Sequence, residues 1–134
     1  MPRVLVVDDL EENRELYGRA LTDAGFEVEL AADGVDAIES ALLRRPDVIV
    51  MDLAMPVLDG WEATRRIRAH ADLKDIYVIA FSGHGDGQSV RVALAAGCDE
   101  FIGKPCTTRT FVETVAEAIR RLSSGSLPRI ATTR

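Results

Sequence analysis

Three runs of consecutive apolar residues, at 4–7, 48–51 and 76–81, are too short for helices and read as strands buried on both faces of a parallel sheet. The stretch 26–30 differs, because apolar and acidic residues alternate there, as in a strand with one face in water. A fifth strand, very short, is expected around Glu100 and Ile102. Helical spacing fills the intervals. Leu16, Tyr17, Ala20, Leu21 and Ala24 share a face of a helix over 10–24, which Gly25 is placed to stop. Val35, Ile38, Ala41 and Leu42 share a face of a second helix, capped by Asp33 and ended by Arg44, Arg45 and Pro46. Further helices are expected over 61–70, over 88–96 before Gly97, and from Thr107 or Thr108 through Phe111, Val112, Val115, Ile119 and Leu122.

Five alternations of strand and helix imply an α/β fold, a parallel sheet with helices on both faces. The second strand is half polar and the fifth very short, so both belong at edges. The other three are central. That arrangement is the flavodoxin-like doubly wound (βα)5 order 2-1-3-4-5. One domain over 1–122 accounts for the pattern, and the Ser- and Gly-rich segment 123–134 is expected to be a flexible tail.

Composition narrows the function. At 134 residues the chain can bury a core without disulfides or a structural metal, and its net charge of −6 argues against a nucleic-acid-binding surface. Only four apolar residues follow Met1-Pro2-Arg3, so neither a signal peptide nor a membrane span is expected, and the default location is cytoplasmic. Cys98 and Cys106 match no metal-ligand spacing and read as packing residues.

The chemistry lies at the strand ends. The first strand ends in Asp8 and Asp9, the third in Asp52, the fourth in Ser82, and the fifth leads to Gly103-Lys104-Pro105. In the order 2-1-3-4-5 the first and third strands meet at the switch point, which brings the three aspartates to one crevice, with Ser82 and Lys104 on its other side. Carboxylates so placed repel by roughly 1 to 4 kcal/mol per close pair. A hard cation offsets this, and Mg²⁺ suits all-oxygen ligands where no His or Cys stands near the acids. Lys104 supplies a point charge and Ser82 a hydroxyl donor for phosphoryl oxygens, which leaves one aspartate free as nucleophile. Each feature alone has a plainer explanation, for adjacent acids are often a solvated loop or a helix N-terminus satisfying its dipole. Yet Lys104 is one of only two lysines in the chain, and it falls at a strand end.

These motifs, Val-Leu-Val-Val-Asp8-Asp9, Asp-Val-Ile-Val-Met-Asp52-Leu-Ala-Met-Pro56-Val-Leu-Asp59-Gly60, Ser82 and Phe-Ile-Gly-Lys104-Pro105, resemble in order and spacing the response-regulator receiver domains of two-component signalling. The likeness covers about residues 2–122. It implies that Asp52 accepts a phosphoryl group from a phosphohistidine on a sensor histidine kinase or a histidine phosphotransfer protein. It further implies that Asp9, Asp52 and the Ala54 carbonyl hold Mg²⁺, with Asp8 acting through a coordinated water. Lys104 would pair with the phosphoryl oxygens, Ser82 would hydrogen-bond the phosphate, and Phe101 would occupy the aromatic switch position. Phe101 lacks the hydroxyl of the commoner tyrosine, and Cys106 replaces a bulky apolar residue. Ala54 and His84 fall at two variable positions that tend to set the lifetime of the phosphate.

A stand-alone response regulator is thus expected. It would not be an enzyme beyond its own phosphorylation and dephosphorylation, and would signal to an unknown downstream protein through the fourth helix, fifth strand and fifth helix. A homodimer through the fourth and fifth helices is possible. The alternative is a receiver-shaped binding module that works without phosphate. A phosphatase of the haloacid-dehalogenase kind would want an aspartate where Ala54 stands. A flavin carrier would want a phosphate loop where Asp8 and Asp9 stand.

Overall fold

Each apolar run forms the strand its pattern predicts. The computed structural model describes residues 1–55, 58–83 and 87–125. In chain order they form β1 (Arg3–Val7), α1 (Glu11–Asp23), β2 (Glu27–Ala31), α2 (Gly34–Leu43), β3 (Val48–Asp52), α3 (Gly60–Ala69), β4 (Tyr77–Ser82), α4 (Gly87–Ala96), β5 (Glu100–Gly103) and α5 (Thr108–Ser123). The five strands are parallel in the order β2-β1-β3-β4-β5. This is the flavodoxin-like arrangement expected from the sequence, and β3 and β4 are buried along their whole length. No helix among the described residues is long and apolar enough to cross a membrane. Of the segment 123–134, expected to be a flexible tail, Ser123 ends α5 and Ser124 caps it, while 126–134 lies outside the described residues.

Strand pleating sorts the core into two layers, because alternate side chains point to opposite faces. Leu5, Val7, Ile49, Met51, Val78 and Ala80 pack under α2, α3 and α4. Val4, Val6, Val48, Val50, Ile79 and Phe81 pack under α1 and α5. Helix ends are capped as their sequences require. The carboxylates of Asp33 and Asp59 accept from the backbone N–H of Asp36 and Glu62 at the starts of α2 and α3, and the Thr107 hydroxyl accepts from Thr110 at the start of α5.

Tyr17, Leu21 and Ala41 are buried and Ala20 and Ile38 half-buried as expected, but part of each expected face turns outward. In α1 the buried residues are Tyr17, Gly18 and Leu21, while Leu16 is 52 % exposed and Ala24 is also exposed. In α2 they are Gly34, Ala37 and Ala41, while Val35 and Leu42 are 42 % and 48 % exposed. The cause is close approach. A Cβ on Gly18 would lie 2.9 Å from Leu30 Cδ2, and one on Gly34 2.6 Å from the Leu58 carbonyl oxygen. In α2 small residues therefore face inward, whereas α1 keeps Tyr17 and Leu21 inward beside Gly18.

Candidate functional site

The acids expected to converge do so at the carboxyl edge of the sheet. Asp8 follows β1 and Asp52 ends β3, and β1 and β3 pair directly, with Val7 opposite Met51. Carboxylate oxygens of Asp8, Asp9 and Asp52 all lie within 4.8 Å of one another. Asp8 and Asp52 are 2 % and 5 % exposed, whereas Asp9 faces solvent. Among the described residues, Lys104 is the ion-pair partner of two of them. Lys104 Nζ donates to Asp8 Oδ2 at 3.0 Å and lies 3.7 Å from Asp52 Oδ1.

Asp8 is fixed by its own neighbourhood. Its Oδ1 accepts from the Leu10 N–H at 3.0 Å, its Oδ2 from Asn13 Nδ2 at 3.2 Å, and its carbonyl from Arg14 Nη1 at 2.7 Å. It thereby serves the first turn of α1, whose N-cap, Leu10, has no side-chain cap. No motif in the sequence marks Asn13 or Arg14. The only signal for them was their place one helical turn beyond the acids.

Asp52 is held from behind. Its Oδ1 accepts from the Ala54 N–H at 3.2 Å, and Ala54 itself is exposed at the rim. Gly60 seats α3 against this backbone, because a Cβ there would lie 2.2 Å from the Asp52 carbonyl oxygen, and the Gly60 N–H donates to the Leu53 carbonyl at 3.0 Å. Burial pushes the Asp52 carboxyl up to about 6. Lys104 opposes that shift and the Asp8 charge reinforces it.

Ser82 ends β4, is 1 % exposed, and pairs with Gly103 on β5; its carbonyl accepts from the Lys104 N–H at 2.8 Å. Lys104 follows, joined to Pro105 by a cis peptide. The Lys104 ammonium stands over the Phe81 ring, 4.9 Å from its centroid, a contact that nothing local in the sequence announces. Phe101 is half-buried against the core beneath α2, α3 and α4. Five of the expected residues, Asp8, Asp9, Asp52, Ser82 and Lys104, thus gather at one sheet edge with Ala54 at its rim. Phe101 stands a little apart on β5. His84 lies outside the described residues, as do Pro56 and Val57.

The donor set fits a hard divalent cation. It offers only oxygens, and among the described residues it is the one group of three or more acidic, His or Cys side chains close enough to share an ion. One lysine opposite three carboxylates leaves negative charge uncompensated.

Comparison with known proteins gives a concordant picture. A family model described as the response regulator receiver domain matches residues 4–116. Response regulator MprA of Mycobacterium sp. (strain KMS) is 39 % identical over 127 residues, which cover 94 % of this chain and 54 % of MprA. The chain therefore spans about half the length of the curated relatives it matches. Among solved structures, chemotaxis protein CheY4 of Vibrio cholerae superposes with a TM-score of 0.84 at 32 % identity, covering 88 % of this chain and 98 % of that one. The receiver domain of sensor histidine kinase PA1611 from Pseudomonas aeruginosa PAO1 has a magnesium ion coordinated in its active-site cleft. It matches at 32 % identity with a TM-score of 0.81, covering 88 % of this chain and 97 % of that domain.

Proposed function

Since the chain belongs to the response regulator receiver family, whose work is phosphorylation-based signalling, we propose that Asp52 is its phosphoryl acceptor. The observation that carries this reading is the buried Asp52 carboxylate, 3.7 Å from Lys104 Nζ and grouped with Asp8 and Asp9 within 4.8 Å. An Asp52 oxygen attacks the phosphorus of a phosphohistidine, the P–N bond breaks, and the imidazole leaves with the bonding pair. Lys104 holds the phosphoryl oxygens as a point charge, and Ser82 donates its hydroxyl to them once the acyl phosphate has formed.

Asp8, Asp9, Asp52 and the Ala54 carbonyl would hold Mg²⁺, with Asp8 acting through a bound water. When bound, the ion neutralises charge on the carboxylates and on the phosphoryl oxygens. The chain's own residues do the rest: Gly60 and the Ala54 N–H fix the Asp52 backbone and one of its oxygens, and Asn13 and Leu10 orient Asp8.

The new phosphate is nearly dianionic, so its contacts with Ser82 and Lys104 bias an existing equilibrium at the α4–β5–α5 surface, with Phe101 as the ring that reports it. Donors are a sensor histidine kinase or a histidine phosphotransfer protein, and the receiver of the signal is a protein that reads this surface. The domain turns over no external substrate; its only reactions are its own phosphorylation and dephosphorylation. Apolar Ala54 orients no attacking water, which favours a long-lived phosphate.

Incubation with acetyl phosphate and Mg²⁺, followed by intact mass, tests the reading. A single phosphoryl adduct is expected for the unmodified protein, lost without Mg²⁺ and lost in Asp52→Ala. Absence of the adduct in the unmodified protein, with Mg²⁺ binding established, would leave a binding module that works without phosphate.

A further inference from the structure

Tyr17 lies on α1, far from Lys104 in sequence, yet it bears on where that lysine stands. Its hydroxyl donates to the Cys106 carbonyl at 3.0 Å, a link across 89 residues that ties the middle of α1 to the loop carrying Lys104. Its ring meets Phe81 edge-on, with centroids 5.0 Å apart and planes at 88°, and both rings touch Phe111 of α5, at 4.6 and 5.2 Å. Phe81 in turn forms the floor beneath the Lys104 ammonium, 4.9 Å away. Tyr17 is 7 % exposed, and burial raises its phenol further, so the hydroxyl stays protonated as a donor at neutral pH.

Among the described residues, the other hydrogen bonds of this loop include those from the Lys104 N–H to the Ser82 carbonyl at 2.8 Å and from the Cys106 thiol to the neighbouring Thr107 carbonyl at 3.4 Å, and Cys106 packs against the core beneath α1 and α5. Lysine is also a flexible point charge on a long stem, and its position follows the backbone and floor that support it.

We propose that Tyr17 is a positioning residue for Lys104: the hydroxyl pins the Lys104-Pro105-Cys106 segment to α1 while the ring holds Phe81 flat under the ammonium. This rests on the reading of Asp52 and Lys104 as phosphoryl acceptor and phosphoryl anchor. Tyr17 touches neither the acids nor a phosphoryl group. Its effect runs through the placement of one charge.

The consequence has a sign that loss of fold does not share. A loosened Lys104 slows phosphoryl transfer, yet it competes less with a cation for the Asp8 and Asp52 oxygens. Tyr17→Phe, which keeps the ring and removes only the hydroxyl, should lower the maximal rate of phosphorylation by acetyl phosphate roughly three- to ten-fold, as for loss of one supporting hydrogen bond. Its Mg²⁺ affinity, measured by calorimetry without phosphodonor, should be unchanged or tighter. Tyr17→Leu should slow the reaction further, and Leu16→Ala, on the exposed side of the same helix, should behave as the unmodified protein.

An unchanged rate in Tyr17→Phe overturns the proposal, as does a fall in rate matched by weaker Mg²⁺ binding, which would mark a general structural role. A wild-type protein that takes no phosphoryl group on Asp52 overturns the functional reading and this inference together. Normal Asp52 phosphorylation with an indifferent Tyr17→Phe overturns the inference alone.

Discussion

The same sheet carries a buried ionic cluster at each edge, and the two are built to opposite rules. At the amino edge, Arg68 of α3 donates to the carbonyls of Gly97, Lys74 and Ile76 at 2.9, 2.8 and 2.5 Å. It also pairs with Asp99 at 2.6 Å, and the same Asp99 oxygen accepts from the Val78 N–H at 2.8 Å. Here one cation meets one carboxylate, and every arm of the guanidinium is used. At the carboxyl edge three carboxylates cluster, and one lysine, Lys104, pairs with two of them, Asp8 and Asp52. A balanced cluster stiffens a fold. An unbalanced one stores repulsion that an incoming cation can relieve, and so gives the domain an equilibrium to shift.

The largest effect should come from breaking the balanced end. Arg68→Ala leaves the wholly buried Asp99 carboxylate without its cation and should cost about 3–5 kcal/mol in urea unfolding. A loss below about 1 kcal/mol would mean that the arginine is ornamental. Next in size is Gly60→Ala, which drives a methyl into the Asp52 carbonyl. It should cost about 1–3 kcal/mol and slow Asp52 phosphorylation as the acceptor backbone shifts, which a rate measurement beside a melt would separate from simple instability.

The smallest effect has the opposite sign. In metal-free protein at pH 7.5, Asp52→Asn should stabilise by roughly 1–2 kcal/mol, because burial, more than the Asp8 charge, opposes the ionised carboxylate, and water at the open rim reduces that cost. The folded state raises the Asp52 carboxyl from 3.8 to about 6 and so binds that proton more tightly than the unfolded chain does. Metal-free stability therefore declines as pH rises through this window, and the advantage of asparagine should vanish below it. Thermal melts of both proteins across that range, with Mg²⁺ chelated, would reveal the crossover. A constant gain at all pH values would trace the effect to packing instead.

Much of this was legible because strands announce themselves through continuous apolar runs, and their order through which of them are half polar. The site was legible for the same reason: in a parallel sheet the residue after each strand goes to one edge. What escaped is what sequence periodicity does not encode. Leu16, Val35 and Leu42 have the hydrophobicity of core residues, but Gly18 and Gly34 make the close contacts, so these three lie outside while Tyr17, Leu21, Ala37 and Ala41 fill the inner faces. The Arg68–Asp99 pair spans 31 residues, and the Tyr17 hydroxyl finds its acceptor 89 residues away. Neither leaves a local signature. Asp99 reads simply as the residue before a short strand, and Arg68 as one arginine among several on a solvated helix.

Lys104 donates to Asp8 across 96 residues of chain, and that separation has a consequence for biosynthesis. The site's charges come from β1, β3 and the end of β5, so no contiguous fragment shorter than nearly the whole domain contains them. Non-local pairings of this kind close late, since loop-closure entropy must be met before their contacts repay it. On the ribosome, the acids of β1 and β3 are complete long before the lysine emerges. A nascent chain therefore carries the clustered carboxylates without the ammonium that pairs with two of them. Partial neutralisation of the cluster therefore arrives only with the last strand.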